Sequence, residues 1–384
     1  MRTKLLHAAI FTPNRRGWGL PILFEGAPGT AKTELCEAVC EAAGLPLIAL
    51  SPGLHGEGAF GVVPVPVKTP LGTRLAYPPP DWTDEVADGG VVLVDEVTTA
   101  PAALQPPMLG LIAAHRVGNH QLPSRVRVFG LCNPVELAAN GQELAPPLAN
   151  RFIWVSWGAP SVAEHAAFML GAASGTELPA YNTAAEEARV LAAWPAAWAR
   201  AAGLEVAFHQ KTGGQWKNKC PKAADATLSR AWPSDRTWYY AALCLASSIV
   251  HALSNADTSD LLAGCVGREA AAAWEVFVEE QDLPDVEALL DGSIEYKFDA
   301  RRIDRIAAVL SNVQALVTPP QSIKRIERAA ALWRLMGTVP ASARDLCVPV
   351  AQALKQADIA LCMSPAAAKV LAGMNKVLTL SGAA

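Results

Sequence analysis

Apolar and polar positions change their period along this chain. Short, nearly unbroken apolar runs at residues 21–24, 46–50, 91–94, 126–131 and 152–155 read as strands. Helical patterns lie between them, and residues 1–10 read as a short leading helix. Strands alternating with helices predict a parallel sheet with crossover connections, an α/β fold. The run Val91–Val94 has no polar face, as expected of a strand covered on both sides. Beyond Trp157-Gly158-Ala159-Pro160 the texture changes. Ala-rich helical patterns follow at 161–171, 183–202, 236–254, 259–280, 301–316, 322–336 and 342–357. This places an α/β domain at 1–158 and an all-α region at 159–384, with Leu204 to Ala231 read as a loop-rich insertion.

Two insertions interrupt the α/β part. The first, about 51–88, is too rich in Gly and Pro to be one regular element, and a connection this long is usually functional or disordered. Phe60 within it reads either as an exposed aromatic that grips a partner or as the plug of a small satellite core. The second, 116–125, reads as a hairpin turn just before the strand at 126. His115, Arg116 and His120 there read as surface residues.

The candidate chemistry sits at the ends of the strands. Gly26-Ala27-Pro28-Gly29-Thr30-Ala31-Lys32-Thr33 follows an apolar strand and opens a helical pattern. Strand, small-residue turn and helix are what a phosphate-binding loop needs. Its N–H groups curl toward the phosphates, and the helix adds its positive end. Lys32 would reach the β and γ phosphates, and Thr33 would hold Mg²⁺. Ala31 stands where such loops usually carry a second Gly, and it is small enough to keep the turn.

Val91–Val94 ends at Asp95-Glu96, at the carboxyl edge where open α/β sheets bind ligands. Asp95 can hold the Mg²⁺ shell, and Glu96 can orient the water that attacks the γ-phosphate. The strand at 126 ends at Asn133-Pro134, which puts Asn133 in place to contact the γ-phosphate or that water. Arg151, just before the strand at 152, is either a solvated charge or an arginine presented to a neighbouring subunit's ATP.

In this order and spacing, residues 20–157 resemble the AAA+ ATPases and, within them, the MoxR group. The resemblance implies a P-loop core with five parallel strands in the order 5-1-4-3-2, followed by a helical lid. It assigns Lys32 and Thr33 to Walker A, Asp95 and Glu96 to Walker B, Asn133 to sensor 1 and Arg151 to the arginine finger. Asn150 stands where the family often has Asp. Trp232-Pro233-Ser234-Asp235-Arg236 resembles the start of the lid helix, which makes Arg236 the candidate sensor 2 and Arg344 its alternative. The two insertions are similar to the helix-2 hairpin that faces the ring pore and to the pre-sensor hairpin. The implied function is Mg²⁺-dependent ATP hydrolysis in a homo-oligomeric ring, expected to be a hexamer, coupled to remodelling or activating a partner protein. The implied partner carries a von Willebrand factor A-like domain. A nucleotide-dependent assembly switch in a defence or stress system and a nucleic-acid-stimulated motor stay open as alternatives.

Composition trims these choices. The 384 residues allow two or three domains. A net charge of −4 is no footprint for nucleic acid. The eight Cys lack paired spacing, and none of the seven His lies near a close pair of them. The thiols therefore read as reduced and mostly buried, without a zinc site. Neither a leader sequence nor a membrane span is expected, since the longest apolar stretch, Tyr239 to Leu253, is too short to cross a bilayer. A cytoplasmic protein is the expectation.

Overall fold

A computed structural model describes residues 2–70, 72–163, 165–166, 169–170, 180–222, 225–280, 283–320 and 322–380. Five strands form its central sheet: β1 (Ile22–Glu25), β2 (Leu47–Leu50), β3 (Gly90–Val94), β4 (Val126–Cys132) and β5 (Ile153–Ser156). Their order is β5-β1-β4-β3-β2 and all pairings are parallel. Every residue of β3 and β4 is buried, which is why both read as apolar runs. The expected fold class and strand order are those observed.

Helix α1 (Thr3–Ile10) buries Leu5, Leu6 and Ile10, and α2 (Lys32–Ala42) carries the chain from β1 toward β2. Helix α3 (Gln105–Ala114) lies between β3 and β4 in the chain. One hairpin, Val65–Thr69 with Gly72–Ala76, stands in the first insertion, and a second, Arg116–Val117 with His120–Gln121, in the other. Phe60 is buried with Trp82, whose indole N–H donates to the Ala59 carbonyl; it is not an exposed aromatic, and the core it fills is the one that contains the sheet residues rather than a small satellite. His115 is also buried, contrary to its reading as a surface residue. It ends α3 in a left-handed conformation.

The chain forms two compact units. The first comprises Met1–Ala192 and Asn218–Ala271, the second Ala193–Lys217 and Ala272–Ala384. These units do not follow the change of texture at 158, because α5 (Asp235–His251) and α6 (Asn255–Val266) belong with the sheet. At Gly264 a side chain would meet the Trp154 carbonyl of β5 at 2.1 Å, so a glycine lets α6 lie directly on that strand. Ser234 and Thr237 cap α5 reciprocally, satisfying N–H groups that the helix leaves open.

Helix α4 (Thr183–Lys211) starts in the first unit and continues into the second, so the first eight residues of the expected insertion at 204 are helical. The helix expected over 161–171 lies partly outside the described residues. The pattern over 259–280 is interrupted at Gly267 and gives α6 and α7 (Arg268–Glu279). The second unit is helical: α8 (Ile303–Val317), α9 (Arg325–Gly337), α10 (Cys347–Ala357) and α11 (Pro365–Leu380) surround a core around Trp333, whose indole N–H donates to the Leu361 carbonyl. No described helix is long and apolar enough to cross a membrane.

Candidate active site

Parallel strands bring their carboxyl ends to one edge of the sheet, and four of the expected residues meet there. Residues 26–31 turn the chain from β1 into α2. Gly26 passes so close to Trp157 that a side chain would stand 2.5 Å from that residue's carbonyl oxygen. Ala31, at the usual glycine position, adopts a left-handed conformation with φ 57°. That conformation costs an L-residue about 1 kcal/mol. No side chain caps α2, so its first N–H groups face the loop's concavity without a protein acceptor from a cap.

Lys32 is buried beneath this turn. Its ammonium donates to the carbonyls of Gly26 (2.9 Å) and Ala27 (2.8 Å) and to Oδ1 of Asn133 (3.0 Å). Three donors meet three acceptors, so a phosphate would have to replace some of these contacts. Burial lowers the Lys32 pKa from its usual value, and the Asp95 carboxylate opposes that shift. Asn133 follows β4 and is held by Thr98, whose hydroxyl donates to its carbonyl at 3.0 Å.

Thr33 donates from Oγ1 to Oδ2 of Asp95 at 3.0 Å, which places a hydroxyl and a carboxylate side by side. Both are hard oxygen donors of the kind that suit Mg²⁺. Glu96, next along, has φ 53°, an uncommon conformation for a residue with a side chain. Its N–H donates to Asp95 (2.8 Å), and Oε2 accepts from the Ser51 hydroxyl at 3.3 Å. The turn thus re-aims a carboxylate away from the strand direction, beside Asp95.

Arg151 and Arg236 lie elsewhere. Arg151 precedes β5 at its amino end, whereas the loop follows the carboxyl end of the adjacent, parallel β1. Its Nη1 donates to the Pro147 carbonyl at 2.6 Å, and its Nε is buried without a partner among the described residues. Burial and then the charge of Arg236 lower its pKa. The two arginines therefore share one neighbourhood, apart from Lys32. Asn150 joins them to the start of α5: Oδ1 accepts from Trp232 N (3.0 Å) and Nδ2 donates to the Ser234 hydroxyl (3.2 Å). A carboxylate could not donate that second bond. Arg344 lies in the second unit, in a pocket lined also by Trp333, Arg334 and Lys369.

Sequence reasoning missed three residues at the loop. Trp157 gives two bonds, from its backbone N–H to the Glu25 carbonyl (2.6 Å) and from its indole to the Thr30 carbonyl (3.0 Å). Glu25, the last residue of β1, takes an ion pair from Arg230 at 2.6 Å, and the Arg230 guanidinium stacks 4.3 Å from the Trp154 ring. Arg230 stands only six residues before Arg236, yet no local signal separates their destinations.

A lysine-bearing loop, an acidic strand end and an adjacent asparagine at the carboxyl edge of a 5-1-4-3-2 sheet define a P-loop nucleotide site. Residues 21–152 match the family model of the AAA domain, dynein-related subfamily. The matched residues span β1 to β4 of the sheet described above and stop just before β5, and the chain has the architecture of an AAA+ core followed by helices. Among solved structures, the chain is similar to a "putative ATPase" from Cytophaga hutchinsonii, at 16% identity over 73% of this chain and 88% of that one, with a TM-score of 0.46. No curated protein matches the chain.

Proposed function

We propose that this protein is a Mg²⁺-dependent ATPase of the MoxR type that works as a homo-oligomeric ring, a hexamer, and remodels or activates a partner protein. The observation that carries the reading is the convergence of Lys32, Thr33, Asp95 and Asn133 on one loop, beside a Glu96 held in a strained turn. In this reading residues 1–158 bind nucleotide and 159–384 supply the lid and further helices. Lys32 and the amides of residues 26–33 hold the phosphates. Thr33 and Asp95 would hold Mg²⁺, which neutralises charge on the β and γ phosphates. Glu96 orients the attacking water and takes its proton, and Asn133 contacts the γ-phosphate.

Arg151 and Arg236 serve the neighbouring subunit's nucleotide. Two cations side by side, one with a buried N–H lacking a partner among the described residues, form a place for an anion from outside the chain. The exposed apolar residues Val65, Val67 and Leu75 of the first hairpin are the surface that meets the partner, for which a von Willebrand factor A-like domain is the candidate. The setting is the cytoplasm.

Steady-state ATPase activity against protein concentration tests this reading. Specific activity should rise with concentration, and Glu96→Gln should bind nucleotide while losing about 10²–10⁴-fold in rate. A specific rate that is constant with concentration, and unchanged in Arg151→Ala, would remove the ring from the mechanism.

A further inference from the structure

One other group of ligating side chains comes together in the first unit. His7 lies in α1, Glu186 in the first turn of α4, and His251 is the last residue of α5. One ligand atom from each lies within 4.8 Å of the other two. Nε2 of His7 is 3.5 Å from Oε1 of Glu186, and Nδ1 of His251 is 4.0 Å from the same oxygen. Bonds of about 2.0–2.1 Å to a tetrahedral ion set neighbouring ligand atoms roughly 3.4 Å apart. Small side-chain shifts close that difference.

The ring chemistry suits a metal. His251 is buried, and its Nε2 has no hydrogen-bond partner among the described residues. Nδ1 faces Glu186 and also the guanidinium of Arg189, a group that only donates, so Nδ1 is the lone-pair nitrogen. His7 is wedged between Phe11, Tyr181 and His251, with ring centroids 4.7, 4.9 and 5.5 Å away.

A cation already serves this cluster. Arg189 donates to both oxygens of Glu186, at 2.8 and 2.7 Å, and approaches Nδ1 of His251 at 3.4 Å. Its side chain is half exposed and can leave for solvent, whereas the three ligating residues sit on packed helices. Two imidazoles and one carboxylate with an open side form the donor set of borderline divalent ions such as Zn²⁺.

We propose that His7, Glu186 and His251 form a binding site for a borderline divalent transition-metal ion, for which Arg189 competes as the resident cation. The ion ties together α1, the start of α4 and the end of α5, three segments far apart in the chain. This site is independent of the nucleotide reading.

The test titrates the full-length, nucleotide-free chain with Zn²⁺ by calorimetry and with Co²⁺ by visible absorption, in Mg²⁺-free buffer. Wild type should take up one ion per chain. Arg189→Gln should bind about tenfold tighter, because the arginine no longer holds the metal-competent arrangement to about a tenth of the population. His7→Gln and His251→Ala should lose the site while keeping wild-type circular dichroism. The Co²⁺ spectrum should lack a sulfur-to-metal charge-transfer band. Absence of stoichiometric binding in both wild type and Arg189→Gln overturns the proposal. So does binding that His7→Gln leaves unchanged, or a thiolate band, which would point to the exposed Cys220.

Discussion

Two inactive variants, mixed, should regain activity if the active site is shared between subunits. Lys32→Ala removes the ammonium proposed to hold the phosphates and keeps Arg151, while Arg151→Ala does the reverse. The sheet register makes action within one chain difficult. Ile153 pairs with Ile22 and Ser156 with Glu25, so Arg151 lies below the start of β5 while the loop begins above its end. At about 3.3 Å per residue, β5 alone sets roughly 10 Å between these levels, and the phosphates lie beyond the loop. The Arg151 guanidinium moreover bonds back to Pro147. Each variant alone should lose about 10³-fold or more, roughly 4 kcal/mol of transition-state stabilisation.

In randomly mixed equimolar rings, about one interface in four joins an intact loop to an intact arginine, so the mixture should recover about a quarter of the wild-type rate. The assay is coupled ATP hydrolysis at concentrations where light scattering shows that both variants assemble. A mixture no faster than the mean of its two components refutes the shared site, because in that case no single chain in the mixture holds a complete one.

Glu187 is buried between Arg127, at 2.6 Å, and the more exposed Arg125, at 2.7 Å. Glu187→Met should cost about 3–5 kcal/mol because it strands the buried Arg127 guanidinium, whereas Arg127→Met leaves Glu187 its second partner and should cost less; reversed midpoints in denaturant titration would refute this. His115 has its pKa lowered by burial to about 4, against 6.5 for an exposed ring. Its contribution is fully present above pH 6.5 and is lost as pH falls toward 4, by up to about 3 kcal/mol, so His115→Asn, which tolerates the same backbone, should flatten stability between those values in melts against pH. Arg230→Ala should weaken nucleotide binding no more than about fivefold, since its pair with Glu25 is half exposed; a larger loss in titration would mean that Arg230 touches the nucleotide itself.

The legible part of this molecule is the part in which local pattern and global position coincide. β3 and β4 are buried on both faces, so the sheet writes itself as apolar runs, and their polar ends fall at the candidate site. Lys32, Thr33, Asp95 and Asn133 could be read because each follows a strand whose end the fold places beside the others. Phe60 and His115 could not be placed, because one residue among small or polar neighbours carries no periodicity to say which way it faces. Arg127 reads as a polar break in an apolar strand, and its burial depends on Glu187, 60 residues away.

The same limit explains the cluster at His7. A search for ligands by spacing looks for close pairs, as in zinc fingers, and here the spacings are 179 and 65 residues because three helices converge. Arg230 and Arg236 show the limit most sharply. Both lie in one short segment with similar local chemistry, yet one reaches Glu25 at the loop and the other joins Arg151 at the far end of β5. Which place each arginine reaches is decided by the path of the segment between Asn150 and the Ser234 cap, and that path is set by tertiary hydrogen bonds that no window of sequence contains.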